Sequence, residues 1–145
     1  MADEIWQYFE ERRAECRSLS ISDQEIEFYE ESGSSSLWGQ VHGHVTLSDE
    51  PPAYLEVHEV VTIEAGTPHR EEYAYYLIFD GVDIWGYERD PSHADEPVHC
   101  HGRDHVRYPA DPISFKGAVE LAWATTSEAT EHGLSDLDPA KPDPA

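Results

Sequence analysis

The chain has 145 residues, 31 acidic and 9 basic side chains, and a formal net charge of −22. This length fits one domain with its own hydrophobic core, and no apolar run is long enough to cross a bilayer. The acidic start, Met1-Ala2-Asp3-Glu4, is unlike a secretory signal, and the two cysteines match neither a disulfide framework nor a CxxC pair. We therefore expect a cytoplasmic protein with free thiols.

The acidic residues occur throughout the chain, and only two of the basic residues are lysines, Lys116 and Lys141. This composition is typical of a protein from a salt-accumulating halophile, and the alternative is an acidic protein that binds a basic partner. At molar salt, charges are screened over roughly 3 Å and counterion release no longer drives binding. The net charge therefore neither indicates nor excludes an RNA substrate.

Apolar residues at three- and four-residue spacing predict a first helix over residues 3–19, with Ile5, Phe9 and Cys16 on its apolar side. From residue 24 the period changes to two, which predicts strands. The five predicted strands are Gln24–Glu30, Leu37–Leu47, Tyr54–Ile63, Arg70–Phe79 and Val82–Arg89. Their short connections, including the hairpin signal Asp80-Gly81, predict an antiparallel meander.

After the meander, Val98–His101 is predicted to be a short extended segment. Asp111 can cap a second helix whose first residue is Pro112, and the apolar pattern continues to about Ala129. Residues 132–145 are rich in Asp, Pro and Ala and are predicted to be a disordered tail. The expected architecture is α+β: one domain over 1–131, with a five-stranded antiparallel meander sheet, an N-terminal helix and a C-terminal helix.

The segment from Tyr87 to Tyr108 concentrates groups that carry chemistry: His93, His99, His101 and His105, with three arginines between them. His99 and His101 are two residues apart, so an extended segment places both on one face, while Cys100 packs on the other as a small apolar residue. Two imidazoles on one face can bind a transition metal or act as a general acid and base. A solvated polar loop is the third interpretation. A second same-face pair, His42 and His44, is interpreted as surface.

Three further residues are site candidates. Arg89 ends a predicted strand, where a guanidinium can hold a phosphate or carboxylate by two parallel hydrogen bonds or form an ordinary ion pair. Glu59 is the one acid on an otherwise apolar strand face, so it either faces inward with a partner, for which we expect Arg89, or is left exposed by strand twist. Tyr75 is expected in the core, or with its hydroxyl directed at the histidines.

Several short motifs occur within about residues 24–108: Val45-Thr46-Leu47-Ser48-Asp49, Leu55-Glu56-Val57-His58-Glu59, Tyr73-Ala74-Tyr75, Tyr87-Glu88-Arg89-Asp90, His93 and Val98-His99-Cys100-His101. In this order they resemble the TumE family of small prokaryotic toxin-like proteins. The family tends to have two histidines after the proline, whereas one follows Pro91 here. The resemblance implies a toxin component that acts on RNA and is paired with a small DNA-binding antitoxin.

These observations lead to one working hypothesis and two alternatives. In a metal-independent ribonuclease, His99 or His101 takes a proton from a ribose 2′-hydroxyl, His93 or the other histidine protonates the leaving oxygen, and Arg89 stabilises the phosphate charge, with Tyr75 or Glu59 in support. The first alternative is a non-catalytic protein that holds zinc or another transition metal through His93, His99, His101 and His105. The second is a protein-interaction module. A homodimer is compatible with all three.

Overall fold

One antiparallel sheet, with two helices packed against a single face of it, accounts for the described chain. The computed structural model describes residues 2–22, 25–32, 37–92, 98–103 and 106–133. The elements in chain order are α1 (Ala2–Ser18), β1 (Ile26–Ser32), β2 (Leu37–Asp49), β3 (Pro52–Glu64), β4 (Thr67–Phe79), β5 (Val82–Arg89), β6 (Val98–His101), β7 (Arg107–Pro109) and α2 (Phe115–His132). The sheet order is β1 to β7, so every strand pairs with its neighbours along the chain.

The two faces of the sheet differ in what covers them. Successive side chains of a strand point to opposite faces, and every second residue is buried from Ala53 to Val61 of β3 and from Tyr73 to Phe79 of β4. We call the buried side the helix face, because α1 and α2 both contact it: Tyr8 bonds to Glu59, and Trp85 bonds to Thr125. We call the opposite side the open face, and it carries Tyr76 and Glu88.

The hydrophobic core lies between the helix face and the two helices. The sheet contributes buried side chains that include Val41, Leu55, Val61, Leu77 and Trp85. The helices contribute Ile5, Phe9, Phe115, Val119 and Ala122. Each large apolar side chain removed from water stabilises the fold by roughly 1.5–3 kcal/mol. This core fixes the sheet and thereby the positions of the residues on the open face.

The α+β class and the antiparallel meander are confirmed, but the expected number of five strands is wrong, because the described sheet has seven. Val98–His101 pairs with β5 and buries Cys100 opposite Tyr87 on the helix face. Residues Arg107–Pro109 then pair with this strand. A three-residue strand that contains a proline is too short to show a period of two, which is why the sequence pattern does not reveal it.

The start of the second helix also differs from the expectation. The helix begins at Phe115, and its cap is Ser114, whose Oγ accepts a hydrogen bond of 2.9 Å from the amide of Gly117. Asp111 and Pro112 precede it as exposed, non-helical residues. This start places Phe115 in the core with no exposed surface, so the expected start at Pro112, with Asp111 as the cap, is wrong. Residues 134–145 of the predicted tail lie outside the described residues. Neither described helix is long and apolar enough to cross a membrane.

A glycine is required at position 43, where β2 pairs with the first residue of β1. Its φ is +154°, and a Cβ added there would lie 2.0 Å from the carbonyl oxygen of Glu25. We expect Gly43→Ala to lower the free energy of unfolding by about 3 kcal/mol, because the backbone of β1 would have to move. The matched control is Gly66→Ala, where φ is +79° and the space is open; it should cost only about 1 kcal/mol. Denaturant unfolding in molar salt measures both, and equal losses would contradict the steric argument.

Candidate functional site

The open face brings together residues that lie far apart in the sequence, in two adjacent rows across the strands. The pairing register defines each row, because residues directly opposite one another on neighbouring strands share a face. The first row is Glu27, His42, His58, Ala74, Glu88 and His99. The second row is His44, Glu56, Tyr76, Gly86, His101 and Arg107. We call these the histidine rows, because five of the nine histidines lie in them.

His99 forms a carboxylate–imidazole pair with Glu88. The two residues are directly opposite on β5 and β6, and His99 Nε2 lies 2.7 Å from Glu88 Oε2. The histidine side chain is 1% exposed, whereas that of Glu88 is 22% exposed. A carboxylate in this position holds the ring in one orientation and makes Nε2 the proton-bearing nitrogen. The pair therefore locks β6 onto β5 beside His101.

His101 is half-buried, and its ring lies against Tyr76 with 5.6 Å between the ring centroids. The contact crosses β5, because Gly86 stands between them and has no side chain. A Cβ at Gly86 would lie 2.4 Å from His101 Nε2 and 2.6 Å from Tyr76 Cδ1. Arg107 is exposed and pairs with His101 from β7. An imidazole, a phenol and a guanidinium are thus grouped at one end of the second row.

A separate polar network is buried on the helix face around Glu59, which has no exposed surface. Its Oε1 accepts hydrogen bonds from Tyr8 Oη at 2.8 Å and from Arg12 Nη2 at 3.2 Å. Its Oε2 accepts a hydrogen bond from the hydroxyl of Tyr75. Arg70 Nη1 in turn donates to Tyr75 Oη at 2.7 Å. The buried carboxylate is thereby matched by a cation and by neutral donors, as burial requires.

The electrostatics of this network keep its tyrosines protonated. Burial raises the pKa of Tyr8 and of Tyr75 above the ordinary value of about 10, and the negative charge of Glu59 raises both further. Burial acts to lower the pKa of Arg12, but the charge of Glu59 and the nearby tyrosines outweigh it, so the net pKa rises. The network is therefore a fixed set of donors around one carboxylate, and it clamps α1 to the centre of the sheet.

The structure divides the candidate residues between the two faces. His99 and His101 share the open face, and Cys100 is buried on the other side, as predicted. Arg89, Glu59 and Tyr75 belong to the helix face. His93 and His105 lie outside the described residues. His99 and His101 therefore lie on the face opposite to that of Arg89, although they are close to it in the sequence.

The expectation that Arg89 pairs with Glu59 is wrong. Arg89 lies opposite Tyr73, and its Nε donates to the carbonyl oxygen of Glu71 at 3.0 Å. The guanidinium that donates hydrogen bonds to Glu59 comes from Arg12 of α1, and Arg70 of β4 lies 4.0 Å from the other carboxylate oxygen. The pattern of a strand contains no information about which helix residue covers it, which is why the contact with Arg12 is not visible in the sequence.

Metal binding has no geometric support within the part of the chain that the structure describes. No three His, Cys, Asp or Glu side chains in it are placed to hold one ion. Of the alternative ligand set, His99 and His101 are described, whereas His93 and His105 are not.

Sequence reasoning missed Glu88, Tyr76 and Arg107 as neighbours of the two histidines. The alternation of β4 already placed Tyr76 on the face opposite Tyr75, and the Tyr87–Tyr108 segment already contained the other two. Only the pairing of β4, β5, β6 and β7 brings them together.

No family model, no curated protein and no solved structure matches this chain. The function of the open face must therefore be inferred from its own geometry and from the resemblance to the TumE family in the sequence.

Removal of the buried charge tests the clamp on α1. We expect Glu59→Gln to lower the free energy of unfolding by about 3 kcal/mol, because Arg12, whose side chain is only 12% exposed, would lose its buried carboxylate partner and keep only the partly exposed Glu15. The control is Glu128→Gln on the exposed side of α2, which should stay within about 0.5 kcal/mol of wild type. Chemical unfolding measures both, and a small loss at Glu59 would show that the carboxylate is not the restraint.

The raised tyrosine pKa values predict a loss of stability in alkali. Above about pH 10 the unfolded tyrosines lose protons while Tyr8 and Tyr75 in the folded protein keep theirs. The unfolded state then binds fewer protons, so the free energy of unfolding falls as pH rises. In a Tyr8→Phe/Tyr75→Phe variant, the free energy of unfolding should fall less steeply with pH than in wild type. In the control Tyr54→Phe, at a half-buried position on the open face, it should fall as steeply as in wild type. Unfolding measured from neutral pH to pH 11 is the test, and identical slopes would contradict it.

Proposed function

We propose that the protein is a metal-independent ribonuclease and the toxin of a toxin–antitoxin pair, with its reaction centre at the β5–β7 end of the histidine rows. The observation that carries the chemistry is the grouping of the half-buried His101 with Tyr76, at 5.6 Å between ring centroids, and with Arg107 on the paired strand. The Glu88–His99 pair, at 2.7 Å between Oε2 and Nε2, holds the strand that carries His101. The toxin role and a small DNA-binding antitoxin as partner rest on the resemblance to the TumE family.

In this proposal His101 is the general base and Tyr76 is the general acid. His101 takes the proton of a ribose 2′-hydroxyl, whose oxygen forms a bond to phosphorus. The bond from phosphorus to the 5′-oxygen breaks, and Tyr76 protonates that oxygen. The products are a 2′,3′-cyclic phosphate and a free 5′-hydroxyl. Arg107, opposite His101 on β7, stabilises the charge that develops on the phosphate.

His99 acts as a positioning residue. At 1% exposure its ring does not reach substrate, and its hydrogen bond to Glu88 holds the strand that carries His101. Arg89, Glu59 and Tyr75 have no chemical step here, because their side chains belong to the helix face. Their part is to hold the sheet and α1 together.

RNA cleavage in molar salt with EDTA tests the reaction. We expect His101→Ala to slow cleavage of labelled RNA by at least about 100-fold, the usual contribution of a general base. Two controls should cleave at close to the wild-type rate: His69→Ala, at a half-exposed histidine of β4, and Arg89→Ala on the helix face. Intact RNA with wild type, or an unchanged rate in His101→Ala, would refute the proposal.

The positioning role of His99 has its own readout. His99→Ala should lower kcat with little change in KM, because substrate does not touch the ring. His99→Gln should recover part of that loss, since a glutamine amide nitrogen can donate to Glu88 from a similar position. A purely structural role would instead reduce the folded fraction in both variants, and circular dichroism detects this.

A further inference from the structure

A shallow groove lies on the open face over β1 to β4, away from the β5–β7 end of the histidine rows. Its volume is about 520 Å³, and its lining includes three carboxylates and three imidazoles: Glu25, Glu27, Glu56, His42, His44 and His58. The carboxylate of Glu25 also accepts a hydrogen bond from the amide of Thr46 at 3.4 Å, which ties it to β2. This contact holds one side of the groove against the sheet.

The charge of this groove is one-sided. Among the described residues that line it there is no lysine or arginine, whereas three carboxylates are present. Such a surface repels the phosphates of a nucleic acid and attracts cations. Charge complementarity therefore favours a basic occupant over RNA at this end of the face.

Aromatic rings make a guanidinium the better fit among cations. Tyr76 lines the groove, and Tyr29 stacks on His42 with 5.0 Å between centroids and 13° between planes. Tyr54 supports His44 at 4.9 Å. A planar guanidinium binds a carboxylate through two hydrogen bonds and also stacks on aromatic faces. An ammonium group is a compact point charge and has neither the paired donors nor the flat surface.

We propose that the groove docks an extended, arginine-bearing segment of a partner protein. Four neighbouring strands span about 14 Å, which is the length of about four residues of extended chain. The inference does not depend on the ribonuclease proposal. If both hold, the bound segment lies against Tyr76, whose ring contacts His101, and it therefore inhibits cleavage.

Fluorescence anisotropy with a labelled peptide of alternating arginine and serine tests the docking. Titrations are made at about pH 8, in the lowest salt at which circular dichroism finds the wild type and variants folded. We expect Glu27→Gln/Glu56→Gln to weaken binding by about tenfold. The control, Glu11→Gln/Glu128→Gln, removes the same charge from exposed positions on the two helices, and it should change binding by less than about twofold.

Four outcomes would overturn the proposal. An equal loss in both double variants means attraction to net charge alone. Equal affinity for a lysine–serine peptide removes the guanidinium argument. If spermidine, at the same concentration of positive charge as the peptide, displaces the peptide, the groove is a site for small polyamines. Binding of a single-stranded RNA that is lost in His42→Ala/His58→Ala, two groove residues outside the proposed reaction centre, assigns the groove to RNA. None of these readouts requires RNA cleavage, so the proposal stands or falls separately from the enzyme activity.

Discussion

The buried carboxylate of Glu59 is the constraint on which the rest of the structure depends. A charge with no exposed surface is costly unless opposite charge and donors surround it. In this protein the cation and one donor, Arg12 and Tyr8, come from the N-terminal helix, and the other donor, Tyr75, comes from the neighbouring strand. Satisfying one acid therefore fixes which face of the sheet the helix covers, and neither described helix covers the opposite face.

Alternation along the strands then gives every core residue a counterpart on the open face. Tyr75 faces the helices and Tyr76 faces away, and the same relation holds for Tyr87 and Glu88. Cys100 packs inward between the two histidines of β6. The strands that stabilise the fold are thus the strands that align the histidine rows, so the rows need no loops to hold their geometry.

Local periodicity was sufficient to predict the helices, five strands and the shared face of His99 and His101, because each depends only on neighbouring residues. Pairing across strands was not predictable. The Asp80-Gly81 hairpin would place Tyr76 opposite Trp85, but an irregularity between Leu77 and Ile78 shifts the register by one residue and brings Gly86 there instead. That shift moves every later partner on β5, including Glu88. The contact of Arg12 with Glu59 spans 47 residues, beyond the reach of any strand pattern.

The contact between His101 and Tyr76 depends on the absence of a Cβ atom at Gly86. Its missing side chain is the gap through which the ring of His101 reaches Tyr76. Its neighbours Trp85 and Tyr87 face the core, so the gap can be filled without disturbing them. A single added methyl group would lie 2.4 Å from His101 Nε2 and 2.6 Å from Tyr76 Cδ1, so the two rings would have to move apart. At this position the contact between the rings is broken by adding an atom, whereas at most positions a contact is broken by removing one.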